Sequence, residues 1–190
     1  MHKLPTTASR LRRFMRERKF VRFKSRFNSG FIRGYVLDVG PKFFLIALQS
    51  GDQIRFDGFA CHLIAHVKNL DRDPYSAFAE AALKRFGQRT PRKPRVNLET
   101  IEGLLLSVSK SFPLVTIHRE KIYPDVCWIG KILEIERGQI SLLEIGPNAK
   151  WDREPYRYKV REITTFEFGG EYEKALHLIG GNPPVNRNVT

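Results

Sequence analysis

Acidic residues, cysteines and long apolar runs are all scarce in this chain of 190 residues. The two cysteines, Cys61 and Cys127, belong to no CxxC pair, which argues against a disulfide framework or a cysteine zinc site and favours reduced thiols. No apolar run approaches the ~20 residues of a membrane-spanning helix. The basic N-terminus lacks the continuous apolar segment of a secretory signal. We therefore expect a cytoplasmic protein with no membrane partner.

Motifs that carry chemistry are also missing. Neither a GxxxxGK[ST] nor a GxGxxG phosphate loop occurs. His62 and His66 stand four residues apart, but in an extended strand over residues 61–67 they would lie roughly 13 Å apart on a surface face, too far for one zinc ion. His118 and Glu120 have no nucleophile motif nearby. We predict no catalytic residue, no metal site and no cofactor, and hence a protein that is not an enzyme.

The positive charge is concentrated in two segments. The net charge is +13. Residues 1–35 contribute +10 and residues 84–95 contribute +6, so the rest of the chain sums to −3. A basic surface of this kind is typical of proteins that contact nucleic acid or an acidic partner. The remaining sequence is close to neutral and is expected to form the folded scaffold.

One unit of the sequence recurs at a constant offset of 96 residues. Gly34 matches Gly130, and the apolar residues that follow Gly34 at Val36 and Ile46 match Ile132 and Leu142. A self-match that needs no gap predicts a duplicated structural unit. Turn signals about every ten residues between short apolar segments predict small β-barrels.

The pattern predicts an α+β fold in which two small bent β-barrels are joined by a two-helix connector. Residues 1–27 form a basic N-terminal arm with a helix at 8–20, residues 28–70 the first barrel, residues 71–113 the connector, and residues 114–180 the second barrel with a C-terminal helix. Within the connector, residues 88–96 form a basic linker with two prolines. Asp73 with Pro74 predicts the start of the first connector helix, and Asn97 is the predicted cap of the second. The glycine pair 180–181 predicts the end of the C-terminal helix. Residues 181–190 form a flexible tail. Strands are predicted at residues 31–39, 43–49, 53–56, 61–67, 114–118, 127–135, 139–145 and 156–168.

The two β units resemble Sm-like folds, the small five-stranded barrels of RNA-binding proteins, and SH3-like barrels fit the same pattern. The resemblance depends on a glycine followed by apolar residues at +2, +5 and +12. It implies nucleotide contacts near +6 and +9. The first unit has Gly40 and Phe43 there, so no pocket carries over, whereas the second has Glu136 and Gln139, which are the weak candidates for such a contact.

The basic segments supply the stronger candidates for nucleic-acid binding. Guanidinium and ammonium groups neutralise phosphates, and aromatic rings between them stack on unpaired bases. The alternatives are an acidic protein surface as the partner, or a solvated arm whose phenylalanines dock on the barrel; for the linker, the alternative is solvation alone. The candidate residues are Arg10, Arg12, Arg13, Arg16, Arg18, Lys19, Arg22, Lys24, Arg26, Arg92, Lys93 and Arg95.

A second group, of aromatic residues, lies in the C-terminal half. It is explained either by packing in the core or by a stacking or peptide-binding groove. Its members are Trp128, Trp151, Tyr156, Tyr158 and Tyr172. The sequence therefore favours a binding protein with RNA as its partner, and the alternative is a protein-interaction module that uses exposed barrel edges and this aromatic surface.

Overall fold

Ten strands pair edge to edge in one antiparallel sheet, and four helices accompany them in the computed structural model, which describes residues 5–27, 29–51 and 53–184. The helices are α1 (Thr7–Arg16), α2 (Pro74–Arg85), α3 (Ile101–Ser111) and α4 (Glu171–Gly180). The strands are β1 (Phe20–Ser25), β2 (Ile32–Val39), β3 (Phe43–Gln49), β4 (Phe56–Leu63), β5 (Val67–Asp71), β6 (Val115–His118), β7 (Cys127–Glu136), β8 (Gln139–Glu144), β9 (Tyr156–Lys159) and β10 (Thr165–Phe168). The predicted α+β class is confirmed.

The strand order is β5-β1-β2-β3-β4-β10-β6-β7-β8-β9. The sheet is open, with β5 and β9 at its ends, and it is not divided into two closed barrels. The reason is that β4 pairs with β10 of the other half, where His62 lies opposite Thr165 and Phe59 opposite Phe168. This junction turns two five-stranded halves into one continuous sheet.

The offset of 96 also relates the strand registers of the two halves. Gly34 lies opposite Leu48, and Gly130 lies opposite Glu144. Both second strands contain a bulge at the same place, after Val36 and after its counterpart in β7. A Cβ at Gly34 would lie 1.9 Å from a β3 carbonyl oxygen, and one at Gly130 would lie 2.2 Å from a β8 carbonyl oxygen. Each glycine is needed because another strand approaches its backbone closely.

The two largest apolar clusters of the described residues pack on the sheet. The larger one contains Leu45 and Cys61 of the first half together with Ile117 and Phe166 of the second, and α3 covers it with Leu104 and neighbouring residues. The smaller cluster lies within the first half. Because the larger cluster takes residues from both halves, they share one core across the β4–β10 junction.

The N-terminal segment is part of the sheet and not a separate arm. In α1, Leu11 is fully buried, and β1 is an inner strand between β5 and β2. Val21 and Phe23 of β1 enter the smaller core cluster. Apolar residues alternate with the basic ones in this segment, and this alternation is the signal of a half-buried strand. Residues 1–4 lie outside the described residues.

In each half, one segment predicted as a single strand is interrupted in the structure. Residues 61–67 and 156–168 were each predicted as one strand. Instead, a 3-10 helical turn at Ile64–His66 separates β4 from β5, and one at Val160–Glu162 separates β9 from β10. The turn carries the chain from one side of each half to the other. Residues 53–55 precede β4 and do not form the predicted strand.

The helices follow their sequence signals. Asp73 caps α2, and its side chain accepts a hydrogen bond from the Ser76 amide. Thr100, and not the predicted Asn97, caps α3. Residues 88–96 form neither helix nor strand, as their prolines predicted. Of the predicted tail, residues 185–190 lie outside the described residues.

Candidate nucleic-acid interface

Alternation along β1 sends its basic side chains to one face of the sheet. Val21, Phe23 and Ser25 are buried, whereas Arg22 and Lys24 are half-buried on the opposite face. Side chains two residues apart on a strand point the same way and lie roughly 6.6 Å from each other along it. The packing of β1 therefore presents cations in a row.

Phe31 lies at the centre of these cations. The Arg22 guanidinium carbon is 4.2 Å from its ring centroid, the Lys24 ammonium 4.6 Å and the Arg33 guanidinium carbon 5.4 Å. Arg33 lies directly opposite Arg22 in the β1–β2 pair, and its guanidinium also lies 4.7 Å from the ring of Tyr75. We call these five residues the Phe31 surface. Cations close to an aromatic face attract the ring quadrupole and hold the ring in place.

The three cations differ in their acidic partners. Arg22 forms ion pairs of 2.7 Å with both Asp71 and Asp73. The hydrogen bond to Asp71, followed by the charges of both carboxylates, raises the pKa of the Arg22 guanidinium against the opposing effect of burial. Lys24 and Arg33 have no hydrogen bond or ion pair with any residue that the structure describes. These two cations are therefore available to an anionic ligand.

A second cation–aromatic contact follows β1 directly. The Arg26 guanidinium is 5.6 Å from the Phe27 ring, and the Lys121 ammonium is 5.7 Å from it. The His66 ring packs edge-on against Phe27 at 4.8 Å. Burial lowers the pKa of His66, and the charges of Lys121 and Arg26 lower it further. The surroundings of His66 thus favour the neutral form of its ring.

The other N-terminal candidates lie apart from the Phe31 surface. Arg10 donates a hydrogen bond to the Leu70 carbonyl of β5. Phe14, Phe20 and Phe23, which the sequence offered as stacking rings, are buried and cannot reach a base. The exposed candidates on or just after α1 are Arg12, Arg13, Arg16, Arg18 and Lys19.

The fold brings the basic linker next to the N-terminal segment. A cavity of about 340 Å³ is lined by Arg18, Tyr35, Thr90 and Pro91, among others. Lys93 forms a 2.8 Å ion pair with Asp38 of β2, whereas Arg92 and Arg95 are exposed. Two basic segments some seventy residues apart in sequence thus meet on one side of β2.

The weak candidates Glu136 and Gln139 lie at the β7–β8 turn. A cavity of about 470 Å³ there is lined by Gln139 together with Arg137, Lys159 and Arg161. Glu136 lines the adjacent cavity and forms a 3.1 Å ion pair with Arg137. The turn of the second half therefore lines a second cavity, with three basic residues and the acidic Glu102, and these basic residues were not among the sequence candidates. Only the fold shows that Lys159 and Arg161 lie next to this turn.

The C-terminal aromatic residues divide between the core and the surface. Trp128 and Tyr158 pack with ring centroids 5.5 Å apart, and the Arg119 guanidinium carbon lies 5.4 Å from each ring. Tyr156 and Tyr172 are about half exposed, at 55% and 54%. Core packing thus accounts for the first pair, and the two exposed tyrosines remain available for a partner.

The histidines of the described ranges are not grouped with other metal-ligating side chains. Among the residues that the structure describes, no group of three or more histidine, cysteine or acidic side chains could hold a metal ion. The sequence placed His62 on the surface, which is wrong: it is 4% exposed because the rings of Phe23 and Phe44 pack against it.

Cys127 lies opposite His118 in the β6–β7 pair. Burial raises the pKa of the Cys127 thiol, and the charges of Glu167 and Glu173 raise it further. An activated nucleophile needs the opposite shift, because the thiolate is the reactive form. The environment of this thiol therefore favours an unreactive, protonated side chain.

Comparisons with protein-family models, with curated proteins and with solved structures found no match to the chain. None of the helices in the described ranges is long and apolar enough to cross a membrane. The function is therefore inferred from the chain's own residues.

Proposed function

We propose that the protein binds single-stranded RNA through the Phe31 surface, and that it does so without catalysing a reaction. The observation that carries the proposal is the grouping of three cations around one half-buried ring at the β1–β2 pair. Unpaired bases stack on such rings, while the neighbouring cations neutralise phosphates. Lys24 and Arg33 provide the phosphate contacts, and Arg22 holds the surface in place through Asp71 and Asp73.

We also propose that each half of the sheet is an Sm-like unit in a cytoplasmic protein. Two features support the relationship: the shared bulge and the glycine in the second strand of each half. The cysteines, both free, fit a reducing compartment. In this arrangement the first half carries the RNA contacts, and the cavity at the β7–β8 turn of the second half adds a further contact through Gln139 and its basic neighbours.

Substitutions test the proposal better than deletion of residues 1–27, because deletion would remove α1 and an inner strand of the sheet. The probe is a fluorescein-labelled single-stranded RNA of fifteen nucleotides, whose binding is followed by anisotropy over a series of salt concentrations. The double variant Lys24→Ala/Arg33→Ala should weaken binding and reduce the log–log salt slope by roughly 1.4, which is about 0.7 for each lost contact with single-stranded nucleic acid. The matched control Lys110→Ala/Lys150→Ala removes the same charge from exposed positions elsewhere.

A second variant separates stacking from charge. Phe31→Leu keeps the cations, so affinity should fall roughly tenfold with the salt slope unchanged, since stacking contributes on the order of 1–3 kcal/mol per base. If the wild-type protein fails to bind the RNA, or if the Lys24/Arg33 variant behaves like its control, the proposal is wrong.

A further inference from the structure

The free edge of β9 is the counterpart of an edge that the molecule already uses for strand pairing. Ile140 lies opposite Tyr158 in the second half, as Phe44 lies opposite His62 in the first, so β9 corresponds to β4 at the offset of 96. The other edge of β4 pairs with β10. The other edge of β9 has no partner strand within the described residues. A row of unpaired backbone groups on such an edge is a template for another strand.

The opposite end of the sheet is protected against such pairing. The Leu70 carbonyl of β5 accepts a hydrogen bond from the Arg10 side chain. Leu70 is the counterpart of Phe166, which lies opposite Cys61 in the β4–β10 pair. Asn69 has a φ of +51°, and the β1–β5 register shifts beside it. Bulges and capped groups of this kind prevent edge-to-edge association.

The side chains of β9 define what could pair with it. Arg157 and Lys159 are exposed. Lys159 lies 3.9 Å from Glu162 and lines a cavity with Glu102. Arg157 lines another cavity with Glu134 and Glu136 but forms no ion pair with any described residue. On the other face, Tyr158 is buried and Tyr156 is 55% exposed. A second copy of β9 would bring like charges together, which is unfavourable for directly opposed pairs. A strand that alternates acidic with apolar residues would match both faces.

We propose that β9 binds an extended peptide segment of another protein by strand addition, with acidic residues of the peptide beside Arg157 and Lys159 and apolar residues beside Tyr156. Backbone hydrogen bonds provide the affinity, and the alternating side chains provide the specificity. This site is separate from the Phe31 surface and does not depend on RNA binding.

The test uses a fluorescein-labelled peptide of alternating glutamate and valine, read by anisotropy and by hydrogen exchange of the intact protein. Binding should protect backbone amides within Tyr156–Lys159 and leave those of β5 unchanged. Two control peptides carry N-methyl groups on alternate backbone nitrogens, one on the odd and one on the even positions. Each keeps its charge but loses the hydrogen-bond donors along one of its two edges. The peptide that lacks donors on the edge facing β9 should fail to bind, and the other should bind. An alternating lysine–valine peptide should not bind.

Charge reversal on the edge provides the matched pair of variants. Arg157→Glu should weaken binding roughly three- to tenfold, as expected when one opposed pair of opposite charges becomes a pair of like charges. Arg153→Glu, an exposed residue in the preceding loop, should not change it. The proposal is overturned if both N-methylated peptides bind equally or if the two variants have equal effects. It is also overturned if the peptide protects β5, or if an RNA oligonucleotide protects β9 in place of the peptide.

Discussion

Acid sensitivity of folding should depend largely on His62, a buried histidine at the junction between the two halves. Its ring lies 5.1 Å from that of Phe23 and 5.7 Å from that of Phe44. Nδ1 lies 3.2 Å from Oγ1 of Thr165, and Nε2 has no hydrogen-bond partner in the described structure. Burial lowers the pKa of His62 from 6.5 to about 4; the charge of Glu167 opposes this, and those of His118 and His66 add to it.

The sign follows from which state binds the proton. Above pH 6.5 the ring is neutral in both states, so His62 contributes no pH dependence. Below pH 6.5 the unfolded chain takes up a proton that the folded chain does not bind until about pH 4, so the folded state loses stability over this range. With these two pKa values, the loss between about pH 7.5 and pH 5 is about 2 kcal/mol.

The variant His62→Leu removes this titration while keeping an apolar side chain in the space. Urea unfolding at the two pH values should show that the variant loses about 2 kcal/mol less stability on acidification than the wild type does. Other groups, such as His118, titrate in both proteins, so their effect cancels in the comparison. If both proteins lose the same stability within about 0.5 kcal/mol, the ring is not buried and neutral as the structure places it.

Two further predictions concern the backbone. Gly34→Ala should lower the free energy of unfolding by about 3 kcal/mol, because its Cβ would collide with a β3 carbonyl. Gly51→Ala is the control: its Cβ would have nothing within 4 Å, so the free energy of unfolding should change by less than about 0.5 kcal/mol. Thermal or urea unfolding measures both. Arg10→Met should remove the hydrogen bond to the Leu70 carbonyl at the β5 edge and cause concentration-dependent association in sedimentation velocity. Arg12→Met, on the exposed side of α1, should associate no more than the wild type does. Equal association of both variants would show that loss of this hydrogen bond is not the cause.

Local signals in the sequence were enough for most of the helices and turns. Asp73 and Pro74 predicted the start of α2, and Gly181, with a φ of +66°, ends α4 where the glycine pair predicted. These features depend on neighbouring residues, such as a side chain that caps its own helix. The repeat could also be read from the sequence, because a glycine is needed at positions 34 and 130, where the backbone of a neighbouring strand leaves no room for a Cβ.

Neighbouring residues in the sequence did not reveal which side chains are buried or which charged groups lie together. The segment around Arg22 and Lys24 was predicted as a basic arm, because its charges are conspicuous and its buried alternate residues are few. His62 was placed on the surface because the two faces of a strand cannot be told apart until the side chains that pack on one of them are known, here Phe23 and Phe44. Phe31 was not singled out at all, since its three cations come from two different strands.

The sequence by itself determined the α+β composition, the duplicated unit and the two basic segments, because these follow from residue type and spacing along the chain. The tertiary structure alone decided that β4 and β10 join the halves into one sheet, that Lys24 and Arg33 meet around Phe31, and that Arg10 closes one edge while β9 stays open. Each of these depends on contacts between residues far apart in sequence. Such contacts are selected by the packing of a shared core, which no local pattern specifies.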